Sequence, residues 1–178
     1  MVAEGEKPPF RAAIGTIVFA LLVPGTVVGL VPFLLTRWRP GPPFLGVAAT
    51  RWLGAALLLL AAPVFLDFLV RFVREGHGTP APVAPTQRLV VGGPFRHVRN
   101  PAYVAVIAML TGQALVFASL PVLAYTAVVA VGFHLFVVFY EEPTLRRTFG
   151  AEYEAYCAEV PRWIPRLSAA RRGGASGC

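Results

Sequence analysis

Charge is scarce in this chain. Only 14% of its 178 residues are Asp, Glu, Lys or Arg, against 56% that are hydrophobic. That leaves too little polar surface to coat a soluble globule of this size, and lipid is expected around it. Lysine is nearly absent: Lys7 stands alone against the arginines, a bias that points to no function. Cys157 and Cys178 are too few for a disulfide framework and lack metal-ligand spacing, so both read as unpaired thiols. No His/Cys cluster offers a metal site, no Gly-rich phosphate loop follows a strand, and no Ser–His–Asp arrangement stands out. The formal net charge of +7 does not point to nucleic acid. The arginines fall between and after apolar runs instead of along one solvated face, which suits membrane lipid headgroups.

Four apolar stretches run from Phe10 to Thr36, Phe44 to Val73, Pro101 to Phe117 and Pro121 to Tyr140. Each approaches the roughly 20 residues that a bilayer core requires. The N-terminal run is longer than the core of a signal peptide and is expected to be retained. Pro24 and Pro32 in the first stretch free backbone groups that neighbouring helices must satisfy, which predicts a kink there. Only Ala118-Ser119-Leu120 separates the third and fourth, which predicts an antiparallel hairpin. The expected fold is therefore all-α: one polytopic membrane bundle of about four transmembrane helices with a C-terminal helical segment. Within it, 1–73 form the first two spans, 74–100 a loop, 101–140 the hairpin, 141–167 a covering segment and 168–178 a disordered tail. With four spans, Arg71, Arg74, Arg96, Arg99, Arg146, Arg162 and most other basic residues share one side with both termini. Arg37, Arg39 and Arg51 oppose them, so the first side is expected to be the cytoplasm of a bacterial inner (plasma) membrane. Trp38 and Trp52 suit the opposite interface, and Arg51 is expected to snorkel.

Asn100-Pro101 has the form of a helix start: Asn accepts from exposed N–H groups and proline fits the first turn. The positive helix end beside Arg96 and Arg99 can hold a carboxylate or phosphate of a ligand, or lipid phosphate. Glu141 and Glu142 are expected to close the fourth span, where the negative helix end and mutual repulsion call for compensation by Arg96, Arg99, Arg146, Arg147 or a cationic ligand. His134 lies two helical turns before Glu141, and it can face a ligand or hydrogen-bond Gln113 across the hairpin. Asp67 and Arg71, four residues apart, read as a structural ion pair.

Taken in order, these residues resemble the isoprenylcysteine carboxyl methyltransferase and phospholipid methyltransferase superfamily. The likeness is carried by Gly93-Pro94-Phe95-Arg96-His97-Val98-Arg99-Asn100-Pro101-Ala102-Tyr103, by Glu141-Glu142-Pro143-x-Leu145, by Phe149-Gly150-x-x-Tyr153-x-x-Tyr156 and by Val160-Pro161-Arg162-Trp163-Ile164-Pro165. It implies a helical membrane enzyme that binds S-adenosylmethionine on the cytosolic side and methylates a lipophilic acceptor arriving from the bilayer. Carried onto this chain, it implies cofactor contacts from His97, Arg99, Asn100, Pro101, Tyr103, His134, Glu141, Glu142, Tyr153 and Tyr156, with Arg99 and Glu141 as catalytic candidates. The tail aromatics Tyr153, Tyr156 and Trp163 would cover the adenosine. If the acceptor needs deprotonation, His97 or Glu141 are the candidate bases. Asn100 stands where many members have His, His97 where an aromatic is frequent, and Ala105 where a glycine is frequent; Asn cannot titrate, so position 100 supplies no base. Two other readings compete: a membrane NADPH-dependent reductase of the sterol type, which would need more phosphate contacts than one helix start and two arginines, and a non-enzymatic adaptor that anchors headgroups.

Overall fold

The computed structural model describes residues 22–75, 89 and 91–166. The N-terminal part of the first stretch, most of the loop over 74–100 and the tail over 168–178 lie outside the described residues. All regular structure among the described residues is helical. Helix α1 is Leu22–Thr36, α2 Ala49–Glu75, α3 Pro101–Phe117, α4 Leu120–Phe149 and α5 Ala151–Glu159. Two of these are long and apolar enough to cross a bilayer, α2 over Ala49–Arg71 and α4 over Leu120–Phe149; α1 and α3 are shorter apolar helices.

Prolines shape α1 and α4 in the same way. Pro32 and Pro143 have no N–H to donate, and in each case the residue before the proline bonds five residues back: Val31 to the Thr26 carbonyl, Glu142 to that of Val137. A π turn results over Gly25–Leu30 and over Val137–Glu141. The carbonyl four residues before Pro32, that of Val28, accepts from Gln113 Nε2 of α3 at 2.8 Å, and the neighbouring Val27 carbonyl accepts from Tyr125 Oη of α4 at 3.3 Å. Neighbouring helices thus satisfy the backbone that proline frees, as the sequence demands. Gln113 is consequently spent on α1 and is no partner of His134.

The second consequence corrects the sequence reading of the fourth span. Glu141 and Glu142 do not close a helix. The chain continues helically past Pro143 to Phe149, because the π turn absorbs the missing donor without breaking the axis. The break comes at Gly150, whose φ of 51° and ψ of −124° suit a residue without Cβ. The repulsion of the two carboxylates is therefore compensated by side chains and not by escape from a helix end.

Helices α2 and α3 pack most closely, through Gly54 and Gly112. A Cβ on Gly54 would lie 2.6 Å from the Gly112 carbonyl oxygen, so only glycine permits this approach. Around Ala61, Ala105, Val106, Met109 and Leu110, residues of α1, α2 and α4 close a small apolar core. The hairpin turn has Ala118 in the left-handed region and Ser119 capping α4, its Oγ accepting from Val122 N at 3.3 Å. At this same end the Arg51 guanidinium donates to the Gly41 carbonyl. Trp38 and Trp52 are exposed there.

Candidate functional site

Beyond α5 the chain turns back as an irregular strap over 160–166. Its backbone pairs with the segment that leads into α3. Arg99 N donates to the Pro161 carbonyl at 2.9 Å, and Arg166 N to the His97 carbonyl at 3.0 Å. Asn100 is buried, and its Nδ2 donates to the Arg162 carbonyl at 3.1 Å. Asn100 thus holds the strap and makes no side-chain cap on α3, contrary to the sequence expectation. Its amide donor is more valuable to a buried strap carbonyl than its oxygen is to a helix end that Pro101 already relieves of one orphan N–H. Pro101 does occupy the first turn, as its fixed φ favours.

The two adjacent glutamates part company. Glu142 is almost completely buried, at 3% exposure. Arg162 clasps it in a fork, and Arg99 and Arg146 approach at 3.2 and 3.4 Å. A buried carboxylate needs this much compensation. Of these three, Arg162 is the partner that the pattern around Glu142 did not suggest, being twenty positions away; the only signal was its place in the Val160–Pro165 block. Its guanidinium is held even more firmly cationic than usual by the hydrogen bonds to Glu142. Glu141 instead accepts from Tyr103 Oη of α3 at 2.8 Å, and the Tyr103 ring packs on Phe133 at 4.6 Å between centroids.

His134 meets the strap, with its ring 6.0 Å from that of Trp163. Two N–H groups under the strap, Arg99 Nε and Trp163 Nε1, are buried and lack an acceptor among the described residues. Orphan donors of this kind ask for an explanation. Tyr153 is buried with the Arg146 guanidinium 5.9 Å above its ring, and Tyr156 Oη donates to the Phe95 carbonyl at 2.7 Å. Burial pushes both phenols well above their ordinary range, so they stay neutral. Cys157 is a free thiol whose sulfur accepts from Arg99 Nη1 at 2.7 Å.

The residues singled out in the sequence therefore fall into three groups. Tyr103 of α3 meets Glu141 of α4, His134 of α4 meets Trp163 of the strap, and Arg99 reaches Glu142 and Cys157. Asn100, Glu142 and Tyr153 fasten the strap and α5. His97, Pro101 and Tyr156 line a separate groove between α2, α3 and α5. His97 Nδ1 lies 2.8 Å from the Arg166 carbonyl and so also takes part in holding the strap. Asp67 and Arg71 form the expected ion pair at 2.8 Å.

Among the described residues all regular structure is helical, and two helices are long and apolar enough to cross a membrane. Residues 49–152, more than half of the chain, match the phospholipid methyltransferase family. The chain belongs to that family, whose membership implies membrane methyltransferase activity. No curated protein and no solved structure matches it.

Proposed function

We propose that this protein transfers a methyl group from S-adenosylmethionine to a lipophilic acceptor, at the junction of α3, α4 and the strap. The observation that carries the proposal is the pair of buried orphan donors, Arg99 Nε just before α3 and Trp163 Nε1 on the strap, together with the Glu141 carboxylate that Tyr103 holds. A cationic amino-acid-like ligand needs a donor for its carboxylate and a carboxylate for its cationic groups, and Arg99 and Glu141 offer one of each. Glu142 is fully engaged by its arginines, which leaves Glu141 as the carboxylate for the ligand, held in place by Tyr103.

The bound cofactor supplies a methyl carbon already activated by a sulfonium, so no covalent residue of the protein is required. The chain's part is to align and to exclude water. Arg99 and Glu141 fix the two ends of the ligand, while Trp163 and His134 close the site against solvent. Tyr153, Tyr156, Asn100 and Glu142 are assigned to positioning, since their polar groups hold the strap and α5. With a carboxylate acceptor no base is needed; with an amine, thiol or hydroxyl, Glu141 is the acceptor for the proton. The strap end, which carries Arg71, Arg96, Arg99, Arg146, Arg147, Arg162 and Arg166, is assigned to the cytoplasmic side of a four-span bundle.

Calorimetry on the detergent-purified protein tests this reading. S-adenosylmethionine and S-adenosylhomocysteine should both bind, NADPH should not, and Glu141→Gln and Arg99→Lys should each weaken binding at least about tenfold, the worth of one charge-assisted contact. Arg99→Lys retains a cation near Glu142, so loss of binding without loss of the folded state is the informative result. Binding of NADPH alone, or adenosyl binding indifferent to both variants, would overturn the assignment.

A further inference from the structure

The guanidinium groups around Glu142 divide its two oxygens unequally. On Oε1 meet Arg162 Nε at 2.6 Å and Arg99 Nη1 at 3.2 Å. On Oε2 meet Arg162 Nη2 at 2.9 Å and Arg146 Nη1 at 3.4 Å. Arg162 has the shorter contact on each oxygen. It competes with Arg99 on Oε1 and with Arg146 on Oε2.

A side-on fork on a carboxylate uses the Nε of the guanidinium, as that of Arg162 does. If Arg99 took over Glu142 in the same geometry, its own Nε would be consumed. With Arg162 in place, Arg99 reaches the carboxylate only through Nη1, which also donates to Cys157 Sγ. Its Nε stays buried without an acceptor among the described residues. The strap backbone is tied to the same segment: Arg99 N donates to the Pro161 carbonyl, and Asn100 Nδ2 to that of Arg162. Strap and fork are therefore seated or displaced together.

We infer that Arg162 is a positioning residue that keeps Arg99 free for the ligand, so that seating of the strap and binding at Arg99 are coupled through Glu142. The inference rests on the assignment of Arg99 to the ligand carboxylate. With the strap seated, Arg162 satisfies Glu142 and the Arg99 Nε is available. With the strap lifted, Glu142 keeps its charge and draws Arg99 into the fork that Arg162 has left, and the ligand loses its donor. Such coupling is reciprocal, so a ligand held by Arg99 also holds the strap down.

Calorimetric titration of the full chain in detergent with S-adenosylhomocysteine tests the coupling. Arg162→Gln should bind about tenfold more weakly, the worth of one charge-assisted contact. Arg146→Gln removes a guanidinium from the same carboxylate, but on the other oxygen, and should change affinity by less than about twofold. In the double variant Arg162→Gln/Glu142→Gln the competing carboxylate is gone, and most of the lost affinity should return, which a merely structural role of Arg162 would not produce. Hydrogen exchange of the strap amides should slow when S-adenosylhomocysteine binds the unaltered protein, and Arg162→Gln should remove that effect. If Arg162→Gln does not fold, Arg162→Lys, which can hold one oxygen but cannot form the fork, takes its place in both variants. Equal losses from Arg146→Gln and Arg162→Gln, or no recovery in the double variant, would overturn the inference and leave the cofactor assignment standing. No binding of S-adenosylhomocysteine by the unaltered protein would remove both.

Discussion

Arg162 and Glu142 are joined by two parallel hydrogen bonds, Nε to Oε1 at 2.6 Å and Nη2 to Oε2 at 2.9 Å. This fork–fork geometry is among the strongest pairings available to side chains. It ties the strap to the middle of α4. Arg99, from the segment that opens α3, reaches the same carboxylate at 3.2 Å. A single buried anion thus gathers three parts of the chain, and it leaves Glu141, its neighbour, for other work.

The two halves of the pair are unequal. Glu142→Gln leaves three guanidinium groups around a neutral amide, and a loss of about 3 kcal/mol of stability is expected from such uncompensated charge. Arg162→Ala leaves Glu142 with Arg99 and Arg146 and should cost about 1 to 2 kcal/mol. Thermal unfolding in detergent checks the ranking; an Arg162→Ala protein less stable than Glu142→Gln would refute it.

High pH probes the same region through Tyr153 and Tyr156. Burial raises both phenols, so the folded state keeps protons that the unfolded chain loses from about pH 10 upward. The stability they contribute is fully present below that pH and is lost as pH rises beyond it. Ultraviolet absorbance should show these tyrosines ionising only with unfolding, and Tyr156→Phe should lessen the alkaline sensitivity. Phenolate formation in the still-folded protein near pH 10 would contradict this.

Much of the fold was legible because lipid-facing helices announce themselves by length and apolarity. Pro101–Phe117 begins and ends where the sequence pattern places it, and the Asp67–Arg71 pair follows from helical spacing. The freed backbone of α1 was legible as a need, though not in its answer, since nothing in the sequence distance between Val28 and Gln113 foretells their bond. The end of α4 was misjudged for a physical reason. Proline is read as a helix boundary, but within a long helix a π turn can absorb it, and then the two glutamates face different neighbours instead of crowding one end. Asn100 was misassigned because a cap and a strap contact draw on the same short amide, and only the folded strap decides between them.

Gln113 offers a test of the proline account. Gln113→Leu keeps the volume but leaves the Val28 carbonyl, four residues before Pro32, without its donor, and should cost about 1 kcal/mol in a membrane setting. Tyr125→Phe removes the longer bond to Val27 and should cost less. Equal losses, or none from Gln113→Leu, would mean that α1 finds its compensation elsewhere.

The contact of Gly54 with Gly112 links packing to function. A Cβ on Gly112 would stand 2.8 Å from the Gly54 carbonyl oxygen and 2.9 Å from Leu58 Cγ, so even alanine forces α2 and α3 apart. Overpacking of this kind costs about 1 to 3 kcal/mol. Because both substitutions relieve themselves by the same separation, the double variant Gly54→Ala/Gly112→Ala should lose less than the sum of the singles. Tyr103 rides on α3 and meets Glu141 of α4, so a displaced α3 should also weaken the proposed adenosyl binding. Thermal unfolding of the three proteins, with calorimetry alongside, checks both claims. Full additivity would place the two glycines in independent contacts, and undiminished binding would show that α3 shifts without moving Tyr103 from Glu141.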